Sequence, residues 1–479
     1  MKETIRTRFA PSPTGYLHIG GLRTALYAYL FAKKYGGKFI LRIEDTDAER
    51  YVEGATEIIC QTLKDAGLIY DEGPDVGGDY GPYVQSQRKH IYYEYAHKLI
   101  EIGGAYRCFC SKERLESLRD ESGARKYDKH CLSLSEREIE EKLRHGEPYV
   151  IRQNIPTEGV SSYYDLLFGK IEVENKDLDD NVLLKSDGMP TYNFANVVDD
   201  HLMRTNYVIR GTEYLSSTPK YNLIYDAFGW ERPKYIHLPP VMRDAQHKLS
   251  KRFGDPSYND LIAEGFLKEA VVNYIALLGW SPKDDREKLS FEELKELFSL
   301  EGLSKSPAIF DKRKLMWLNG EYVRELSPER FHELALPYYE KSKVKGLYDY
   351  KILSRLLQTR IETLSQIPDM VNFLEEFDRF DPALYRRDKL KVDEQKAKEI
   401  LPHVLKSLEG LSDWSEENLH AALSECAAGI GAKAGQVMWC LRIAITGKES
   451  TPGGATEMAR LLGKDRTLQR IRQSLRWLA

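Results

Sequence analysis

Two stretches of this 479-residue chain carry residue types that could together handle a polyphosphate: His18-Ile19-Gly20-Gly21 near the start and Lys248-Leu249-Ser250-Lys251-Arg252 past the middle. The first follows the turn cluster Pro11-Ser12-Pro13-Thr14-Gly15 and precedes a helical pattern, so it should sit at a helix N-terminus. Backbone N–H groups and partial positive charge there suit a phosphate. Glycines let a nucleotide approach the backbone, and an imidazole can donate to oxygens as charge builds up. Two lysines and an arginine around Ser250 could clamp a triphosphate and follow the pyrophosphate as it leaves. Alone, the first run is better read as a glycine-rich turn with a satisfied histidine, and the second as a solvated basic loop. Their pairing in one chain is what gives them weight.

A third concentration is Cys108-Phe-Cys110 followed by Tyr127-Asp-Lys-His130-Cys131. Thiolates are good zinc ligands, although Cys-x-Cys is tighter than the common Cys-x₂-Cys knuckle. Cys60, Cys426 and Cys440 are isolated and read as small core residues in a reducing compartment.

The elements that would position these groups follow from periodicity. An extended segment over residues 4–10, a helix beginning near Leu22 and ended by Gly36-Gly37, and a second strand over residues 38–43 make one βαβ unit. Ligands then belong at the carboxyl ends of the strands, near Ala10–Pro13 and Glu44. Strands over 205–210 and 236–238 with an intervening helix look like a second α/β half. The more charged region 105–195 would split one nucleotide-binding domain. From 328 onward Leu, Ala, Arg and Glu recur at helical spacing and no strand pattern appears. The expected divisions are 1–104 (first catalytic half), 105–195 (insertion), 196–254 (second half, with the basic loop), 255–327 (helical region) and 328–479 (helical domain).

A net charge of −4 argues against a protein that coats nucleic acid non-specifically. A local basic surface is still allowed: the last fifty residues hold Lys433, Arg442, Lys448, Arg460, Lys464, Arg466, Arg470, Arg472 and Arg476 against three acids. A solvated helical face is the equal alternative. The N-terminus lacks the apolar core of a secretory signal and no stretch reaches a membrane-spanning length, so the expectation is a cytoplasmic protein without a membrane partner.

The paired runs resemble the HIGH and KMSKS signatures of class I aminoacyl-tRNA synthetases, and their departures, Gly21 and Arg252, resemble the glutamyl members. RFAPSPTG, GGKFILRIEDTD, DEGPDVGG, LLKSDGMPTYNFANVVDDHLM, FDKRKLMWLNGEY and LRIAITGKESTPG extend the resemblance to bacterial glutamyl-tRNA synthetases along essentially the whole chain. The resemblance implies an α/β Rossmann-like catalytic domain with an inserted acceptor-arm-binding domain, followed by an all-helical anticodon-binding domain. It implies ATP-dependent formation of glutamyl-adenylate and transfer to tRNA(Glu), with Mg²⁺ entering on ATP, by an enzyme that acts as a monomer and activates glutamate once tRNA is bound.

Carried over residue by residue, the glutamate site falls on Arg8, Ala10, Ser12, Glu44, Tyr192, Asn196 and Arg210. Either arginine could take the side-chain carboxylate, and Glu44 the ammonium. ATP falls to His18, Gly20, Glu213 and Lys251, with Lys248 and Ser250 beside it in the catalytic loop. Asp199-Asp200-His201 is expected to face the acceptor end of the tRNA. The resemblance implies structural Zn²⁺ on Cys108, Cys110 and Cys131, with Tyr127 or His130 as fourth ligand; three unliganded thiols are the alternative. Arg360 falls where some members read the third anticodon base. That role would confine the enzyme to tRNA(Glu); without it tRNA(Gln) is open as a second acceptor. A glutaminyl enzyme would end in β-barrels, and a silent RNA-binding relative would have no reason to keep His18, Glu44, Arg210 and Lys251 together.

Overall fold

In the computed structural model, residues 4–47, 51–118, 126–249 and 254–479 are described. The chain divides into one unit of Met1–Ile262 with Lys268–Lys312, and a second of Ala263–Leu267 with Arg313–Ala479.

The first unit is organised by a six-stranded sheet in the order β2-β1-β8-β9-β5-β6. Its strands are β1 (Arg6–Phe9), β2 (Lys38–Leu41), β5 (Val160–Asp165), β6 (Gly169–Glu174), β8 (Tyr207–Gly211) and β9 (Lys234–Leu238). All pairings are parallel except the β5–β6 hairpin at one edge. From β1 the chain crosses through the helix Ile19–Lys34 to β2 on one side. From β8 it crosses through Thr218–Phe228 to β9 on the other. The winding therefore reverses between β1 and β8, and a crevice opens beyond their carboxyl ends.

The first helix shows how local sequence builds this frame. His18 caps it, accepting from Gly21 N at 3.1 Å. Its first turn contains no acidic residue and its last contains Lys33 and Lys34, so the dipole stays uncompensated at the N-terminal end and balanced at the other. Leu22, Leu26, Tyr27 and Leu30 are buried almost completely, each contributing roughly 1.5–3 kcal/mol by leaving water. Gly36, at φ +66°, turns the chain back toward β2.

Residues 105–195 serve two sheets. β3 (Ala105–Cys108), β4 (Val150–Gln153) and β7 (Val182–Leu184) form a small antiparallel sheet of their own, while β5 joins β9 and extends the main one. This small sheet and the main sheet belong to the same unit.

The second unit contains no strand among its described residues. Its last part packs the helices Glu394–Glu409, Glu416–Gly429, Ala434–Thr446 and Ala455–Leu478, the last broken at Gly463 with φ +78°. No helix among the described residues is long and apolar enough to cross a membrane.

Candidate active site and thiol cluster

At the reversal point lies a cleft of about 680 Å³, lined by Arg8, Ala10, Ser12, His18, Gly20, Glu44, Tyr192, Arg210, Glu213 and Lys248 among others. Residues spread over 240 positions of sequence thus face one cavity. Arg8 lies on β1, Glu44 just past β2, and Arg210 at the end of β8, all three about 95% buried. Ser250 and Lys251 lie outside the described residues. Lys248 is exposed on a hairpin rim, bridged to Met242, with Leu249 N donating to Val241 O at 3.1 Å.

His18 Nδ1 accepts from Gly21 N, which leaves the proton of a neutral ring on Nε2. The glycines here have a packing role that the sequence concealed. A Cβ on Gly20 would crowd the His18 ring at 3.2 Å, and one on Gly21 would meet Leu17 Cδ1 at 2.9 Å. Small residues let the imidazole lie over the helix start.

Beneath the cleft runs a buried ion network that sequence reasoning missed. Arg42 Nη2 donates to Glu44 at 2.9 Å and Nη1 to Asp200 at 2.7 Å. Arg8 Nε donates to Asp200 at 3.1 Å. Asp199 accepts from Arg88 Nε at 2.7 Å, Gln85 Nε2 at 2.9 Å and the Tyr92 hydroxyl at 2.8 Å. The expectation that Asp199-Asp200-His201 faces a tRNA is therefore corrected for the two carboxylates. Asp199 and Asp200 are essentially inaccessible, because the helix Tyr192–Leu202 turns them toward the sheet, where Arg8 of β1, Arg42 just past β2 and Arg88 of the 85–88 turn compensate them. His201 is half-buried and stacks on Trp230 at 3.7 Å. Burial raises the Glu44 carboxyl above its ordinary value, against the opposing pull of Arg42 and Arg8. Burial works the same way on Asp200, but Arg8 and Arg42 outweigh it and hold that group below the usual carboxylate range.

Asn196 does not line the cleft. It is buried, with Nδ2 donating to Tyr192 O one turn back, so it supports the tyrosine from below. Tyr192 itself stands against Tyr214, with ring centroids 5.2 Å apart. Arg23 is a further missed residue: it lines the cleft, is buried, and ties the first helix to Leu278 O at 3.1 Å and to Pro239 O. A cation within an otherwise apolar helix face was the available signal.

The thiols come together as the spacing suggested. Cys108, Cys110 and Cys131 have their sulfurs within 4.8 Å of one another, and Cys110 and Cys131 are 3.5 Å apart. A tetrahedral zinc with ~2.3 Å bonds to sulfur would set its ligands about 3.8 Å apart, so the donor set fits. The Tyr127 hydroxyl lies 3.3 Å from both Cys108 and Cys110, while His130 is exposed. Hydrogen bonds from Cys131 and Tyr127 hold the Cys108 thiol well below its ordinary value despite burial.

In the second unit Arg360 is exposed, and its charge, with that of Arg387, acts after burial in lowering Arg442. Arg387 and Arg442 lie 4.9 and 4.7 Å from the Trp439 ring centroid. Most other basic residues of the last fifty are committed within the fold. Arg470 donates to the carbonyls of Phe373, Leu374 and Ile445, Lys464 to Glu409 O and Leu411 O, and Arg472 pairs with Glu409.

Residues 4–317 match the family of class I tRNA synthetases (E and Q), catalytic domain, and residues 330–475 match the anticodon binding domain. The chain is 55% identical over 476 residues to a glutamate–tRNA ligase of Clostridium botulinum (strain Hall), covering 98% of both chains. It is 56% identical over 472 residues to that of Clostridium tetani, covering 98% of this chain and 96% of the other. A crystal structure of a glutamate tRNA ligase from Elizabethkingia meningosepticum in complex with its amino acid superposes with a TM-score of 0.88 at 34% identity, covering all of both chains. With the cleft between β1 and β8, these similarities leave one assignment: the chain belongs to the glutamate–tRNA ligases, class I synthetases with a catalytic domain followed by an anticodon-binding domain.

Proposed function

We propose that the cleft binds glutamate through Arg8, Arg210 and Glu44, with Ala10, Ser12 and Tyr192 shaping the pocket and Asn196 supporting Tyr192. A doubly negative, singly positive substrate calls for two cations and one anion. The single observation that carries the reading is that Arg8 and Arg210, both buried, face the same cavity as the buried carboxylate Glu44, whereas the third buried arginine of the lining, Arg23, donates to the carbonyls of Leu278 and Pro239. Neutral glutamine offers an arginine one acceptor oxygen beside an NH₂ that only donates, so it cannot take the bidentate fork a carboxylate takes.

ATP lies along the opposite wall, its phosphates at the start of the first helix and its ribose and adenine near Glu213. A glutamate α-carboxylate oxygen forms a bond to the α-phosphorus, and pyrophosphate leaves. A hydroxyl of the terminal tRNA ribose then attacks the activated carbonyl, and AMP leaves. His18 and the lysines of the 248–252 loop stabilise the charge that develops on the phosphates, and positioning supplies most of the remainder. Mg²⁺ enters on the phosphates of ATP. Arg360, with Arg387 and Arg442, offers splayed anticodon bases guanidinium planes to stack on and pair with, as single-stranded RNA requires, while the buried Trp439 ring supports Arg387 and Arg442; this contact confines the enzyme to tRNA(Glu). Structural Zn²⁺ on Cys108, Cys110, Cys131 and Tyr127 would fix the small sheet of the insertion.

Glutamate titration of ATP–pyrophosphate exchange, run with tRNA present, tests the site. Arg210→Ala raises the KM for glutamate about 10- to 100-fold, as expected for losing a hydrogen bond to a charged group, and leaves the KM for ATP in place. An unchanged glutamate KM removes Arg210 from the site.

A further inference from the structure

Arg210 reaches the cleft with one edge of its guanidinium already committed. Nε–H donates to His237 Nε2 at 3.2 Å, and Nη2 donates to Thr218 Oγ1 at 2.7 Å. On the far side of the imidazole, Nδ1 lies 2.7 Å from Asp165 Oδ2. The side chains of His237 and Asp165 are both fully buried.

Chemistry orders these bonds. A guanidinium only donates and a carboxylate only accepts, so the ring between them must carry its proton on Nδ1 and its lone pair on Nε2. The other tautomer sets Nε2–H against Nε–H of Arg210, and the imidazolium does the same with added repulsion. Asp165 is itself held. Its Oδ1 accepts from Leu167 N at 2.9 Å and Phe168 N at 2.8 Å, and its Oδ2 from His237 N at 3.1 Å. Burial, with Arg210 close by, keeps the imidazole below its ordinary value and hence neutral.

Three aromatic rings also surround the guanidinium carbon, those of Tyr214, Tyr221 and Tyr235, at 4.9, 5.0 and 5.5 Å. Ring faces hold a cation in place but do not choose which edge it turns outward. The bonds at Nε and Nη2 make that choice, leaving the Nη1–Nη2 end as the edge for a ligand.

We propose that Asp165 acts as a positioning residue: by fixing the tautomer of His237 it aims Arg210 at a glutamate carboxylate, and so contributes to discrimination against glutamine. The inference rests on the role of Arg210 proposed above. Neither residue touches substrate, and neither stands out in the sequence, since Asp165 ends one strand and His237 lies inside the apolar run Tyr235–Leu238.

The test is Asp165→Asn. The amide preserves shape and the bonds from Leu167 and Phe168, but its NH₂ stands where Oδ2 accepted from His237: it gives up the bond from the backbone N–H, donates to Nδ1 and drives the ring proton to Nε2. In pyrophosphate exchange with tRNA present, the KM for glutamate rises about tenfold, the equivalent of one weakened charge-assisted hydrogen bond. The KM for ATP stays put, and the ratio of glutamate to glutamine activation falls. His237→Gln, whose Oε1 can still accept from Arg210, retains more glutamate affinity than His237→Leu, which has no acceptor. This pair decides the matter should Asp165→Asn not fold. A folded Asp165→Asn with wild-type glutamate KM, or His237→Gln and His237→Leu indistinguishable in it, overturns the inference. Arg210→Ala runs alongside. A raised KM there with none in the other variants sinks the positioning role alone, and no rise in Arg210→Ala sinks the reading beneath it.

Discussion

Arg42 Nη1 donates to Asp200 Oδ1 across 2.7 Å, and the same carboxylate accepts from Arg8 Nε at 3.1 Å. One buried anion therefore holds two buried cations, one of which lines the cleft and the other of which pairs with Glu44. The floor of the site is a charge-compensated block in which removing any member strands another.

Asp200→Ala tests that block. Leaving Arg8 and Arg42 without their shared partner costs about 3–5 kcal/mol, the range for breaking a buried ion pair. Urea unfolding should show it as a lowered midpoint. Because Asp200 sits below the usual carboxylate range when folded, its contribution is present above the ordinary value of 3.8 and lost as pH falls through the folded one. The wild type should therefore lose stability on the acid side more steeply than the variant. A variant within about 0.5 kcal/mol of wild type, the scatter of an ordinary surface substitution, would contradict the account.

Glutamate affinity should depend on pH through Glu44. Its carboxyl is raised by burial, and only the charged form pairs with an ammonium. Affinity is complete above that raised value and declines as pH falls through it. Glutamate KM measured from neutral to mildly acidic pH should climb while ATP KM holds steady. A parallel climb in both would assign the effect elsewhere.

Lys251→Ala should lower the rate of adenylate formation about 10²- to 10³-fold, the scale for losing one preorganised stabilising group, with circular dichroism unchanged. Near-normal turnover would discard its role on the phosphates.

Protein purified without chelator should carry one zinc per chain by elemental analysis. Cys108→Ser together with Cys131→Ser should abolish it and lower the thermal midpoint. Stoichiometric zinc surviving the double substitution would place the metal elsewhere.

The site was legible in the sequence where chemistry is local. The His18–Gly21 run, Lys248 and the Cys-x-Cys pair stand out by residue type and spacing, and the structure brings the first two to one cleft and the cysteines into one cluster; the first βαβ unit is legible by periodicity. The ion network was not legible, because Asp200 meets Arg42 across 158 positions, and an acidic pair near the end of a helix reads as an exposed terminus. Asp199 and Asp200 sit on the buried face of their helix, which only the docking of that helix on the sheet defines. The basic C-terminal residues could be read either way for the same reason: Lys464, Arg470 and Arg472 find their partners on other segments. Charge counted along one segment does not show them.

This cleft is expected to activate glutamate, and to do so once tRNA is bound. ATP–pyrophosphate exchange with each amino acid, with and without unfractionated tRNA, tests it most directly. Exchange with glutamate is expected only in the presence of tRNA. Exchange with glutamine, or silence with glutamate in both arms from folded protein, would contradict it.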